Sequence, residues 1–245
     1  MKRYERGFTI IEVLLFLGIS ALLLTAAIAT VGASINSNRF NDAVRGITLY
    51  LQGQYTEVAA GKSDRSDILG CSGAGSITTV GAKAPGMTNC VILGRLIKLE
   101  GSSFTTRYIL GYKNNLSGLS ADDTEAINQM SPWVADTATF ANAYAVPWGI
   151  GVDSSKIPAS PVPTSALGFA IIRSPASGAV LYYAFPVTGP EPTLNSAVIN
   201  KNYLNKQVDV CIADEGSGRQ GYVRIAPGQG QEVIQTDLES NGSDC

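Results

Sequence analysis

The sequence predicts an α+β protein in which one long N-terminal α-helix packs on an antiparallel β-sheet head. Three observations lead to this fold class. The segment Val13–Ile35 contains no charged residue and no proline. The following residues, 40–58, place apolar side chains at helical spacing. From about residue 62 onward, runs of β-branched and aromatic residues alternate with turn residues, which is typical of antiparallel strands.

The composition excludes several classes of function. Of the 245 residues, 45 % are hydrophobic and 16 % are charged, against about 25 % charged in an average globular chain, which argues against intrinsic disorder. Lys and Arg total 18 and Asp and Glu total 20, so we expect no basic surface for nucleic acid. The chain has no histidine, which excludes Ser-His-Asp catalysis, Cys-His catalysis and His-zinc sites.

The apolar run is long enough to cross a membrane. As a helix, Val13–Ile35 spans about 34 Å at ~1.5 Å per residue, against about 30 Å of bilayer hydrocarbon. A buried helix of a soluble core and a secretory signal cleaved near Ala33 are the two alternatives. Residues 1–7 hold three basic residues and one acid, which favours a cytoplasmic N-terminus, a single-pass topology and an external head.

The string GFTIIEVLL, from Gly7 to Leu15, directly follows these basic residues. Together with the apolar run, it resembles the N-terminus of bacterial type IV pilins and type II secretion pseudopilins. The resemblance implies that a prepilin peptidase cuts between Gly7 and Phe8 and that Phe8 is then methylated. It also implies other pilin subunits and the inner-membrane assembly machinery as partners. Many major pilins carry a proline in the apolar segment, whereas the first proline here is Pro85, so the filament details of the major pilins do not carry over to this chain. The architecture of the predicted head resembles that of minor pseudopilins, and on that resemblance the chain is identified as minor pilin-like.

The resemblance divides the chain into four parts: a leader peptide 1–7, a transmembrane and assembly helix 8–35, an amphipathic half of the same helix 36–61, and an extracellular β-rich head 62–245. After assembly, the head is expected on a cell-surface filament.

Glu12 is the single charged residue between Phe8 and Asn38, and two roles for it are open. A carboxylate near a helix N-terminus stabilises the helix through the macrodipole, by about 0.3–1 kcal/mol. The resemblance implies a second role, in which Glu12 pairs with the α-amine of Phe8 on a neighbouring subunit. Such a pair would fix the register between subunits, because an unpaired buried charge is strongly unfavourable.

Beyond Ile35, apolar residues continue along one face of the predicted helix. They are Phe40, Val44, Ile47, Leu51, Tyr55 and Val58. This stripe predicts packing against a sheet. Gly61 is expected to end the helix in the left-handed conformation that glycine adopts easily.

Three hairpins are predicted in the head, each from two strand-like runs around a turn. They pair residues 89–99 with 104–112, 167–172 with 180–185, and 208–212 with 221–225, and a last strand is predicted at 232–235. An antiparallel head packed on the helix agrees with the fold that the resemblance implies.

Residues 113–165 are predicted to form a long surface loop with one short helix near Thr124–Met130. The loop contains four large aromatic residues, Trp133, Phe140, Tyr144 and Trp148. Two interpretations are open: the aromatic residues anchor the loop to the head, or they form a contact surface for a neighbouring subunit or another partner.

The four cysteines, Cys71, Cys90, Cys211 and Cys245, all follow the apolar run. An even number of cysteines in an exported segment favours disulfides, and three pairings are possible. We favour Cys71–Cys90 and Cys211–Cys245, which close the shortest loops. No zinc spacing is present.

Acidic clusters at 122–125 and 237–239 lack EF-hand spacing. The first is more typical of a helix N-terminus than of a calcium site. We therefore expect no cofactor and no metal.

The sequence thus favours a non-enzymatic structural subunit of a type IV pilus or a pilus-like filament. The alternative is a single-pass, membrane-anchored extracellular enzyme or binding module that never polymerises.

Overall fold

The computed structural model describes residues 9–61, 69–71, 77–83, 90–112, 118–135, 141–156, 166–187, 189, 194–214, 216, 218–226 and 233–237. The predicted cleavage residues Gly7 and Phe8 lie outside them.

One helix, α1 (Ile10–Ala59), takes up the first fifth of the chain. It begins after Thr9, which adopts an extended backbone and caps the first turn. It ends as the sequence predicts, because Gly61 has a φ of 64°, in the left-handed region that glycine tolerates without steric penalty. None of the glycines within α1 interrupts it.

The two halves of α1 have different surroundings. The large apolar side chains from Ile10 to Ile35 are all exposed, at 81 % for the first and 44 % for the last. In the second half, the predicted stripe from Phe40 to Val58 is buried, with no member more than 6 % exposed. The stripe is therefore confirmed as the face that packs on the head.

The described residues contain twelve strands. They are β1 (Leu69–Cys71), β2 (Ile77–Lys83), β3 (Cys90–Glu100), β4 (Ser103–Tyr112), β5 (Trp133–Val134), β6 (Ala141–Ala145), β7 (Ile150–Lys156), β8 (Ala166–Arg173), β9 (Val180–Pro186), β10 (Val208–Asp214), β11 (Arg219–Ile225) and β12 (Ile234–Asp237). A second helix, α2 (Asp123–Gln129), lies between β4 and β5.

The strands form three antiparallel sheets within the described residues. The largest has the order β5-β4-β3-β8-β9, with β6 also paired to β4, the second has the order β12-β11-β10-β7, and β1 pairs with β2. The three predicted hairpins are confirmed as β3–β4, β8–β9 and β10–β11. The last strand begins at Ile234, two residues after its predicted start.

The prediction of a strand-free loop over 113–165 is wrong. The segment contains α2, as expected, but also β5, β6 and β7. These strands pair with partners distant in sequence: β6 with β4, and β7 with β10. Their own residues, such as Ala-Asn-Ala-Tyr-Ala in β6, carry little strand preference, so tertiary pairing decides their conformation.

The main core lies between α1 and the two larger sheets. It joins the α1 stripe to inward-facing residues of both sheets, including Leu99, Phe169, Val210 and Val223. Because side chains alternate along a strand, the opposite face of the six-stranded sheet presents Leu96, and a second cluster there is covered by α2 and by residues 194–204. The amphipathic half of α1 is thus an integral part of the head.

Candidate functional site: the exposed half of the helix and its N-terminus

The N-terminus of α1 is closed by a capping box. The Glu12 amide donates to the Thr9 hydroxyl oxygen at 3.3 Å, and the Thr9 amide lies 3.5 Å from Glu12 Oε2. The first amide groups of a helix have no acceptors within the helix, and these two contacts supply acceptors for two of them. The structure therefore shows a local role for Glu12, which agrees with the first of the two roles open from the sequence.

Thr9 is a capping residue that the sequence analysis does not identify. The signal was present, since Thr9 and Glu12 form the Thr-x-x-Glu pattern of a capping box. This finding separates two properties of Glu12: its hydrogen bond to the backbone of its own chain and its negative charge. A glutamine can supply the hydrogen bond but not the charge.

The exposed half of α1 is a continuous apolar surface. Within the described part of the chain, α1 is the one helix long and apolar enough to cross a membrane, and its most apolar window is wholly unburied. Soluble monomers rarely expose such a surface, which marks a membrane or protein contact. It has the length to cross a bilayer and the shape to pack against similar helices.

The packed half of α1 is joined to the head by polar contacts as well as by apolar packing. Arg95 of β3 forms an ion pair with Glu57 and donates to Gln54 at 2.6 Å. Tyr50 shares a hydrogen bond of 2.5 Å with Thr106 of β4, and Gln52 donates to the Ile234 carbonyl at 2.9 Å. These contacts join the second half of α1 to both larger sheets.

Two of the predicted cysteine positions can be examined. Cys90 and Cys211 are 7 % and 1 % exposed, and neither is a free thiol. The side chain of Cys71 and the whole of Cys245 lie outside the described residues. The pairing favoured from the sequence stays a prediction.

The acidic cluster at 122–125 caps α2. Asp122 accepts hydrogen bonds from the Thr124 and Glu125 amides at 3.0 and 3.2 Å, and Lys201 lies 3.0 Å from its other oxygen. The Lys201 contact and these amides hold the pKa of Asp122 below its ordinary value. The expected helix N-terminus is confirmed here. Within the described ranges, no group of three or more Cys, Asp or Glu side chains could hold a metal ion.

A cleft of about 430 Å³ lies beside the C-terminus of α1. Its lining includes Val58, Gly61, Arg95, Tyr108 and Arg173. Two of its polar lining residues already have partners: Arg95 is paired with Glu57, and the Ser174 hydroxyl donates to Asp123 at 2.6 Å. We assign no chemistry to it.

The predicted aromatic residues of segment 113–165 divide into two groups. Tyr144 stacks on Tyr50 of α1, with ring centroids 4.4 Å apart, and anchors β6 to the core. Trp133 is partly buried against the cluster that contains Cys90. In contrast, Trp148 is 57 % exposed. Phe140 lies outside the described residues.

Residues 2–28 match the family described as the prokaryotic N-terminal methylation motif. The matched segment contains the predicted cleavage point, Glu12 and most of the exposed half of α1. The match confirms the resemblance to the pilin and pseudopilin family that the string GFTIIEVLL carries. No curated protein and no solved structure matches the chain.

Proposed function

We propose that this chain is a non-enzymatic structural subunit of a type IV pilus or a pilus-like filament, assembled through the exposed half of α1. One observation carries the proposal. The methylation motif at residues 2–28 continues directly into a helix whose first half is apolar and unburied and whose second half is part of a folded head. Such a helix can leave a membrane and pack with copies of itself without rearrangement of the head.

In the proposed processing, a prepilin peptidase removes residues 1–7 by hydrolysis of the peptide bond between Gly7 and Phe8. The new α-amine of Phe8 is then methylated. Segment 8–35 first spans the membrane with the head 62–245 outside, and segment 36–61 joins the two. The assembly machinery of the inner membrane then transfers the subunit into a filament on the cell surface. The basic residues before Gly7 favour this topology.

Glu12 is proposed to fix the register between neighbouring helices. Its carboxylate lies within 3.5 Å of the amide of Thr9, the residue that follows Phe8 in the chain. In a bundle of apolar helices, a carboxylate without a cationic partner is strongly unfavourable. Pairing of Glu12 with the Phe8 amine of an adjacent subunit would give each charge a partner. The pair would form at only one axial offset between the two helices, so it would fix their register.

We further propose that the four cysteines form two disulfides in the exported head, Cys71–Cys90 and Cys211–Cys245. The burial of Cys90 and Cys211, neither of which is a free thiol, supports oxidised rather than reactive cysteines. The second disulfide would fasten the C-terminal segment to β10. Peptide mass spectrometry after non-reducing digestion tests this pairing, and either of the other two pairings would contradict it.

The processing step is tested by substitution of Gly7. We expect Gly7→Leu to keep its leader, so that N-terminal peptides from membranes begin at Met1, whereas the parent protein begins at Phe8. Gly18→Leu is the matched control, because space around Gly18 is open and the residue lies well beyond the cut. Mature Phe8 at the N-terminus of the Gly7→Leu protein would contradict the peptidase assignment.

An anchored module that never polymerises predicts a different set of results. Its N-terminus would remain uncut, and its head would have activity alone or bind a partner as a single copy. Recovery of sheared surface material in which several copies of the chain are cross-linked through the exposed half of α1 would exclude that alternative.

A further inference from the structure

One end of the head contacts α1 directly after the apolar run. The Arg219 guanidinium donates to the Ser37 hydroxyl at 2.9 Å. The Arg39 guanidinium carbon lies 4.7 Å from the centroid of the Trp148 ring. We call Ser37, Arg39, Trp148 and Arg219 the helix-exit end.

Strand register explains why these residues meet. Asp214 of β10 pairs with Ile150 of β7 on one side and with Arg219 of β11 on the other. The turn that carries Trp148 directly precedes β7. The helix-exit end is therefore formed by one end of the four-stranded sheet, and it is independent of the cleft at the C-terminus of α1.

Trp148 has an unusual backbone for its residue type. It lies in a 3₁₀ turn, Pro147–Gly149, with a φ of 70° and a ψ of 14°. This left-handed conformation is disfavoured for a bulky side chain. The conformation is not explained by burial, since 57 % of the residue is exposed. A strained, exposed aromatic residue that is held against a cation indicates a contact surface.

The depth of the helix-exit end follows from helix geometry. Glu12 and Arg39 are 27 residues apart in one continuous helix, which corresponds to about 40 Å at ~1.5 Å per residue. A bilayer with its headgroups is about 40–45 Å thick. If Glu12 lies in the headgroup layer of one leaflet, Arg39 and Trp148 therefore lie in the headgroup layer of the opposite leaflet.

The helix-exit end consists of residue types that are favourable in the headgroup layer. Tryptophan is enriched at membrane interfaces, where its ring contacts acyl chains and its N–H contacts polar groups. Arginine extends its charged group from apolar surroundings toward phosphates. Two carboxylates are also close: Asp42 follows one turn after Arg39, and Asp214 accepts from the Gly216 amide at 2.9 Å. The surface is therefore not strongly cationic, and its contact should not require anionic lipids.

We propose that Trp148, Arg39 and Arg219 contact the phospholipid headgroups of the membrane that α1 crosses, and so set the depth of the unassembled subunit. The inference rests on the proposed membrane insertion of the subunit. In this arrangement, the indole ring lies in the headgroup layer, and the two guanidinium groups bind lipid phosphates. The head then stands at a fixed height above the bilayer before the subunit enters a filament.

The test uses the fact that the chain contains two tryptophans. Trp133→Phe leaves Trp148 as the single tryptophan, and Trp148→Phe leaves Trp133 as the matched control. Each full-length variant is reconstituted in zwitterionic vesicles whose lipids carry bromine either near the headgroup or deep in the acyl chains. Near-UV circular dichroism checks that both variants are folded, and Trp133→Tyr replaces the first variant if it is not.

We expect Trp148 emission to be quenched strongly by the shallow bromine and weakly by the deep one. Trp133 emission should be unaffected by either label, and added anionic lipid should change neither result. A protein that floats with the vesicles but shows unquenched Trp148 would overturn the headgroup contact and leave membrane insertion intact. That outcome favours a neighbouring subunit as the occupant. A folded protein that does not float would overturn both this inference and the membrane anchoring on which it rests.

Discussion

Arg95 of β3 and Glu57 of α1 form an ion pair across the interface between the helix and the six-stranded sheet. The Arg95 side chain is 7 % exposed and that of Glu57 is 30 % exposed. Gln54 and the Tyr108 hydroxyl also accept from Arg95, and its guanidinium lies 5.0 Å from the Tyr108 ring centroid. The pair fixes the C-terminal turns of α1 on the sheet, so its loss should loosen the connection between helix and head.

The first prediction concerns this pair. Glu57→Gln should lower the free energy of unfolding by roughly 3 kcal/mol, the low end of the range for removal of one partner of a buried pair, because Glu57 keeps some contact with water. Chemical denaturation in detergent measures the change. Glu100→Gln is the control, since Glu100 is mostly exposed where it pairs with Lys98 and should contribute less than about 1 kcal/mol. Equal effects of the two substitutions would contradict the conclusion that the ion pair between Arg95 and Glu57 stabilises the head more than an exposed pair does.

The second prediction concerns Gly94, at the irregularity in the β3–β4 register. A Cβ at this position would overlap the backbone carbonyl of Ile171 in β8. Gly94→Ala should therefore destabilise the head by about 1–3 kcal/mol, as overpacking does elsewhere. Gly189→Ala, where nothing lies within 4 Å, should leave the unfolding midpoint unchanged. A Gly94→Ala protein as stable as the parent would show that β3 and β8 can separate at low cost.

The third prediction is a pH dependence. Burial, reinforced by nearby Tyr55, raises the pKa of Tyr182 above its ordinary value of 10.0. The folded-state pKa is the higher one, so the stabilisation is complete below the unfolded pKa and is lost as the pH rises above it. The free energy of unfolding should therefore fall above about pH 10, by up to about 1.4 kcal/mol per pH unit for this group.

Tyr182→Phe isolates this contribution. The variant loses the hydrogen bond from the hydroxyl to the Lys206 carbonyl, 3.3 Å long, which is worth about 1 kcal/mol at neutral pH. Above about pH 10, the free energy of unfolding of the variant should nevertheless fall less steeply with pH than that of the parent protein. Burial also raises the pKa of Tyr50, Tyr144 and Tyr183, so part of the slope remains. Identical slopes for variant and parent would contradict the role of Tyr182.

The fourth prediction separates the two properties of Glu12. Glu12→Gln keeps a capping box with Thr9 but removes the charge, and we expect normal cleavage without filaments. Thr9→Ala removes the cap, at about 1 kcal/mol, but keeps the charge, and we expect filaments in reduced or normal amount. For each variant, electron microscopy of sheared material measures the amount of filament, and N-terminal peptide analysis measures cleavage. If capping were the whole role of Glu12, Thr9→Ala would be the more damaging substitution, and Glu12→Gln cells would carry normal filaments.

The elements that the sequence predicted correctly depend on local signals. The α1 stripe follows from helical periodicity, Gly61 from its backbone freedom, and the three hairpins from strand runs joined by short turns. In each of these, the residues that decide the conformation lie close together in sequence. The first-turn contact between Thr9 and Glu12 also follows from a local pattern, Thr-x-x-Glu.

The elements that the sequence did not predict depend on distant partners. The strand β7 contains Gly151, Ser154 and Ser155, which indicate a loop, yet it completes the sheet of β10 and β11. Pairing with neighbouring strands overrides weak local preference. The helix-exit end could not be predicted for the same reason, because the four-stranded sheet brings together residues that are distant in sequence, namely Ser37, Arg39, Trp148 and Arg219.

The most direct test of the account is the N-terminus and assembly state of the natural protein on cells that express it. Surface filaments are sheared, purified and analysed by peptide mass spectrometry, with chemical cross-linking before shearing. The account predicts an N-terminal peptide that begins at methylated Phe8, together with cross-links between copies of the chain, or between this chain and other pilin-like subunits. Protein that still begins at Met1 and occurs only as single copies would contradict it.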